Sequence, residues 1–321
     1  MNLFRYACIL AFLSLCGCGA STSQNDSAVD ANDGAFADLA EDVTADAAGV
    51  DTTSANVEHG PKAIPIDGDP NGLVWADDIQ TLFIADDNNN RILTWTDKGG
   101  FGTPIALPTA PASGAGLGGL ARLKDGTLVA PRFGMGMDGA ILFVKPNGTT
   151  GIVPALDTMR RRIGVTVDDA GVIYDTFFTK NGTGAQTGSV ATLDLVGTEV
   201  QVATNGLVKP VGVAILGGKL YISDQKTEKV WRCTPPDCAT LEHVADVTSP
   251  DLMVPGPNGS LFVGSHAGTV IALQPDGTSA VAATGLQEPH GVAYDAANKR
   301  LFVSDHDPNG KTNFLQIFPV N

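Results

Sequence analysis

His266, His290 and His306 are three of the chain's five histidines, and they fall close together toward its C-terminus with Asp251 and Asp305 among them. Neutral imidazoles beside carboxylates are the donors that a divalent cation takes. A cation held by such a set, calcium or zinc, can activate water or polarise a carbonyl. The same residue types also serve a plainer purpose, capping turns and hydrogen-bonding loop backbone. No Gly-x-Ser-x-Gly sequence offers a serine nucleophile. Whether these histidines act together depends on the elements that carry them.

Those elements recur. Asn71-Gly72-Leu73-Val74-Trp75 followed by Leu82-Phe83-Ile84-Ala85-Asp86 has a counterpart in His290-Gly291-Val292-Ala293-Tyr294 followed by Leu301-Phe302-Val303-Ser304-Asp305. Equivalent positions fall at 72, 119, 164, 212, 251 and 291, about 40–48 residues apart. Each unit holds short apolar strands separated by turns rich in Gly, Asp and Asn, which supply the positive φ that hairpins require. This pattern predicts an all-β, six-bladed β-propeller with four-stranded blades over residues 59–321. The last unit has only three strands before the chain ends. Pro61-Lys62-Ala63-Ile64-Pro65-Ile66 resembles the outer strand Thr103–Pro108 of the first unit. It is therefore expected to complete blade six, closing the ring and removing an exposed edge.

In such a blade, the loops entering strand one and those joining strands two and three open on one face. The first set brings Asn71, Arg160-Arg161-Arg162, Asp251 and His290 to that face. The second brings Asp86, Arg132, Asp175, Asp224, His266, Asp305 and His306. Asn71, Asp86, Arg132, Asp224, Asp251 and Asp305 are thus ligand-face candidates beside the three histidines. Asp86, Asp224 and Asp305 recur at one strand end, where a carboxylate satisfies free backbone N–H groups. The three arginines read as a solvated turn.

The chain has 321 residues and a net charge of −15. Without a basic stripe to neutralise phosphates, nucleic acid is excluded as a partner. Residues 19–58 hold nine acidic residues and no Lys or Arg. With little apolar content, residues 18–58 read as an acidic, disordered tether. Residues 1–17 read as a signal peptide, because Arg5 precedes an apolar run too short to span a bilayer.

Leu15-Cys16-Gly17-Cys18 resembles a bacterial lipobox, with Cys16 an unusual residue at its position. The resemblance implies acylation of Cys18 and a lipid-anchored place in a bacterial cell envelope, facing periplasm or exterior. Export also makes Cys233 and Cys238, around Pro-Pro, a disulfide pair in an oxidising compartment. No cysteine then remains as a nucleophile.

Ala85-Asp86-Asp87-Asn88-Asn89-Asn90-Arg91-Ile92 resembles the strand–turn–strand signature of NHL repeats. Broadly, residues 59–321 resemble NHL-repeat and gluconolactonase-like (SMP-30-type) six-bladed propellers. That resemblance implies a divalent ion in the channel, held by a Glu near the first strand and by Asn and Asp from other blades. Here the first-strand position is Asn71, while blades three and four offer Ile163 and Val211, which counts against lactonase activity. His290-Gly291 resembles the metal-binding sequence of NHL-type lyases. The expected role is binding or scaffolding at the envelope, with an envelope protein or small molecule as partner. The alternative is a metal-dependent hydrolase or lyase acting on a small molecule at the channel mouth.

Overall fold

The computed structural model describes residues 62–110, 116–310 and 312–320. The signal peptide, the tether, Cys18 and Pro61 lie outside the described residues. Six four-stranded antiparallel units form the structure. Blade one is Pro70–Ala76, Thr81–Asp86 and Arg91–Thr96, with an outer edge in two pieces, Gly100–Phe101 and Ile105–Ala106. Blade two is Ala121–Arg122, Leu128–Arg132, Ala140–Val144 and Thr150–Ile152. Blade three is Arg161–Val167, Ile173–Lys180, Gln186–Leu193 and Glu199–Ala203. Blade four is Pro210–Leu216, Lys219–Asp224, Lys229–Thr234 and Asp237–Asp246. Blade five is Pro250–Pro255, Leu261–Ser265, Thr269–Leu273 and Ser279–Ala283. Blade six is Glu288–Asp295, Arg300–His306 and Asn313–Pro319, and its fourth strand is Lys62–Ile66. That strand pairs Lys62 with Ile317 and Ile66 with Asn313, so the first described strand closes the ring. Among the described residues, no helix is long and apolar enough to cross a membrane.

The core is divided among the seams between blades. Leu73, Leu82, Ile84 and Trp95 of blade one pack against Ala293, Phe302, Leu315 and Ile317 of blade six. Five further clusters fill the other five seams. Each blade therefore buries both faces, and its inner strands read as apolar runs instead of alternating. Cys233 and Cys238 form a disulfide across the turn joining the last two strands of blade four. Both sulfur-bearing side chains are buried in the seam with blade three.

A repeated hydroxyl joins blade to blade near the channel. Ser304 Oγ donates to the Asn71 carbonyl at 2.6 Å and accepts from the Gly291 N–H at 2.7 Å. Ser223 bridges the Asp251 carbonyl and the Gly212 N–H in the same way, and Thr176 bridges the Val211 carbonyl and the Gly164 N–H. The approach is close enough that a Cβ on Gly291 would sit 2.1 Å from the Asn71 carbonyl oxygen.

The arginine run departs from the expectation of a solvated turn. Arg161 and Arg162 open the first strand of blade three, and the register shifts between Arg162 and Val165. The same shift recurs in blades one, four, five and six after a proline, and at Arg162 the side chain is fully buried and pairs with Asp175 at 2.5 Å and Glu199 at 2.8 Å. Arg160 joins the same Glu199 at 2.8 Å. A charge run at a strand start can thus face the core when carboxylates on the second and outer strands receive it. Burial pushes the Asp175 carboxyl up to about 6, with Arg162 opposing the rise.

Candidate metal centre

The carbonyls of Asn71, Gly118, Ile163, Val211 and Asp251 each accept a hydrogen bond from the preceding blade. Together with His290, whose carbonyl abuts Gly264, they mark one equivalent position in each of the six blades, on the inner strand in five and just before it at Gly118 in blade two. Three consecutive blades place Asp251, His290 and Asn71 there. The other three place Gly118, Ile163 and Val211, and Ile163 and Val211 pack with Phe133, Phe178 and Leu252. At this level the ring is polar on one side and apolar on the other.

The three histidines converge on that polar side. The ring centroids of His266 and His290 are 4.4 Å apart, and those of His290 and His306 are 5.4 Å apart. Asp251 Oδ2 lies 2.5 Å from His266 Nε2 and 2.9 Å from His290 Nδ1. Glu288 sits between the outer two imidazoles, with Oε1 3.2 Å from His266 Nδ1 and Oε2 3.5 Å from His306 Nδ1. The far side of His306, Nε2, meets Asp69 Oδ1 at 3.1 Å. Donor atoms of Asp251, His266 and His290 all lie within 4.8 Å of one another, as do those of Glu288, His290 and His306.

Burial and charge tune these groups. Burial opposes ionisation of Asp251, but His266 and His290 outweigh it and hold the carboxyl well below the usual range. Glu288 is also held down: burial acts against this, and His306 and His266 prevail. Burial, then the charge of His266, lowers His290. Hydrogen bonds to Asp69 and Glu288 push His306 up to about 10.

The residues fit a divalent cation. Asp251 Oδ1 and Asn71 Oδ1 are buried oxygens without a hydrogen-bond partner, on either side of His290. Buried acceptors of this kind ordinarily find a donor, water or an ion. Calcium takes oxygen ligands, whereas imidazoles favour zinc and its neighbours. The mixed set here suits the latter better.

The remaining ligand-face candidates do other work. Asp224 accepts from the Val208, Lys209, Lys226 and Thr227 backbone N–H groups. Asp86 accepts from the Asp69 N–H and pairs with Arg91 Nε at 2.6 Å. Asp305 accepts from the Gln287 and Glu288 N–H groups, which shapes the turn that carries Glu288. Arg132 donates to the Asp138 and Pro108 carbonyls and ties loops together. Of the six candidates, only Asn71 and Asp251 belong to the histidine centre. Glu288 and Asp69 do not emerge from the sequence reading. Glu288-Pro289-His290 carries a local signal, an acid two residues before a candidate ligand, whereas Asp69 reaches the centre only through ring closure.

No protein-family model matches the chain, and no curated protein matches its sequence. Solved structures do share its fold. A gluconolactonase from Xanthomonas campestris superposes with a TM-score of 0.63 at 18% identity, covering 82% of this chain and 99% of that one. Regucalcin from Agrobacterium tumefaciens, a calcium-binding protein, gives 0.64 at 14% identity, covering 80% and 93%. A catalytically inactive histidine-to-alanine variant of virginiamycin B lyase from Staphylococcus aureus, with quinupristin, gives 0.57 at 15% identity, covering 81% and 88%. The chain is thus similar in architecture to gluconolactonase, regucalcin and lyase propellers.

Proposed function

We propose that the protein is a divalent-metal-dependent enzyme, a lyase or hydrolase, acting on a small molecule at the channel mouth. The observation that carries this reading is the convergence of three imidazoles from blades five and six with Asp251 and Glu288. Asp251, His266 and His290 are the residues that would hold the cation, which supplies Lewis acidity toward a carbonyl or similar oxygen. Glu288 holds the second nitrogen of His266 and fixes that ring. His306 is the most exposed of the three rings, and Asp69 and Glu288 favour its protonated form. It is the group suited to give a proton to a leaving group. Environments that separate two imidazoles in this way are how acid and ligand roles divide at neutral pH. Two further points favour the lyase side: the gluconolactonase-type first-strand Glu is replaced by Asn71, and the similar lyase propeller is inactive in a histidine-to-alanine variant.

The test is elemental analysis of the purified protein beside His266→Ala and His290→Ala variants. The expected result is a stoichiometric transition metal that both variants lose. No bound metal after soaking in zinc and calcium would return the protein to the binding class. We further propose a place in a bacterial cell envelope, anchored by a lipid on Cys18. Loss of acyl labelling in Cys18→Ala is the expected outcome, and persistent labelling would remove this part of the reading.

A further inference from the structure

We infer that the substrate is a small molecule with an apolar body, aryl or alkyl, attached to the oxygen function that meets the cation, and that Met135, Met137 and Met159 form the subsite for that body. The inference rests on the cation-dependent reading above and adds a substrate class to it.

Met135 and Met137 belong to the connection between the second and third strands of blade two. Met159 belongs to the segment that leads into the first strand of blade three. The equivalent connections carry His266 in blade five and Asp69 in blade one, so the methionines stand on the face of the histidine centre. Met135 packs on the apolar cluster that holds Ile163 and Val211. By blade order those two lie across the ring from His290 and Asn71. The same cluster reaches Leu252, the residue after Asp251. Apolar side chains therefore run from Met135 to the edge of the cation set.

The three residues are a concentration of one side-chain type, three of the chain's five methionines in two segments that touch. The Gly139 N–H donates to the Thr158 carbonyl at 2.9 Å, and Arg161 Nη2 donates to the Met135 carbonyl at 2.9 Å. Met135 has φ 51 between Gly134 and Gly136, whose φ values are also positive. A non-glycine residue in the left-handed region carries strain, and strain of this kind gathers at ligand sites. Met137 is 51% exposed and Met159 64% exposed, so apolar surface continues outward from Met135 to solvent.

Unbranched thioether side chains adapt to apolar partners of varied shape. Clustered apolar side chains left open beside a polar centre mark a place for an apolar group. A polyol, such as a sugar lactone, would set hydroxyls against them without hydrogen-bond partners, which disfavours it. An aryl or alkyl body has no such groups to lose and gains from burial.

The experiment measures binding of acetohydroxamate, phenylacetohydroxamate and gluconohydroxamate to the zinc-loaded full chain by calorimetry. The chelating group is the same in all three, and only the body differs. The phenyl compound is expected to bind about tenfold or more tighter than acetohydroxamate, and gluconohydroxamate no tighter than acetohydroxamate. Met135→Gln should remove most of that margin, and Met135→Leu should keep it. Val196→Ser changes an exposed apolar residue in the turn between the last two strands of blade three, on the opposite face, and should bind all three as the wild type does. Equal affinity for the phenyl and acetyl compounds in the wild type, or an undiminished margin in Met135→Gln, would overturn the inference. If His290→Ala binds acetohydroxamate as tightly as the wild type, the cation-dependent reading falls and the inference falls with it. If His290→Ala loses acetohydroxamate while the wild type shows no margin for the phenyl compound, the apolar subsite alone is wrong.

Discussion

Asp87 shows how one buried carboxyl registers in the pH dependence of the molecule. It is 5% exposed, and Oδ1 has no hydrogen-bond partner. Burial, then the charge of Asp69, pushes it up to about 7, against a hydrogen bond from the Leu117 N–H. Its folded value lies above the unfolded one, so its stabilising contribution is complete below about pH 4 and is lost as pH rises through 7. Between pH 5 and 7 that loss is on the order of 2 kcal/mol. Asp87→Asn keeps an acceptor for Leu117 and removes the ionisation. Its Tm should gain on wild type by about 5 °C when the pH is raised from 5 to 8. Parallel melting curves at both pH values, with no relative gain, would refute this account of Asp87. At this scale the sequence was only partly legible. The histidines announced themselves because alignment of the repeats put them on one face. Arg162 did not, because it stands where four other blades carry proline, and its carboxylate partners Asp175 and Glu199 lie on other strands.

The elements of this fold depend on contacts between successive blades, and the hydroxyl bridges are the clearest case. Ser304 satisfies the Asn71 carbonyl and the Gly291 N–H together, at the seam where the ring closes and beside His290. Removing the hydroxyl leaves both buried groups unpaired, which costs about 2–3 kcal/mol. Ser304→Ala should therefore lower the urea midpoint and loosen His290. Ser304→Thr should keep most of the wild-type stability, since Thr176 makes the equivalent bridge in blade three. Equal stability of Ala and Thr variants would mean that the hydroxyl is not what matters. Strand positions and hairpin turns were readable because their glycines and apolar runs recur with the blade. The bridges were not, because Ser304, Ser223 and Thr176 look like ordinary strand residues until the next blade supplies a carbonyl. The disulfide was readable in part. Cys233 and Cys238 indicate a closed turn by spacing, but their burial against blade three belongs to the seam.

At the scale of the whole molecule, a ring of six similar units gains its asymmetry from where the chain starts and ends. Closure brings Lys62–Ile66 to Asn313–Pro319, and at the same seam Asp69 meets His306 and the Asn71 carbonyl meets Ser304 and Gly291. The polar half of the channel lies in the two blades nearest the seam and the one that precedes them. A ring-closing strand was legible from the missing fourth strand of the last repeat, but the meeting of Asp69 with His306 was not, because the two lie at opposite ends of the repeat array. Truncation through Ile66 should leave the last strand of blade six as a bare edge carrying unpaired N–H and C=O groups, which recruits other chains. The truncated protein is expected to elute as larger species than the intact chain and to unfold at lower urea, and a peptide spanning 60–69 supplied in trans should restore the elution of the intact chain. A truncated protein with unchanged elution and an unchanged midpoint would show that the seam between blades six and one holds without its fourth strand, through the packing of Leu73, Trp75 and Trp95 on Ala293 and Phe302 and the Ser304 bridge.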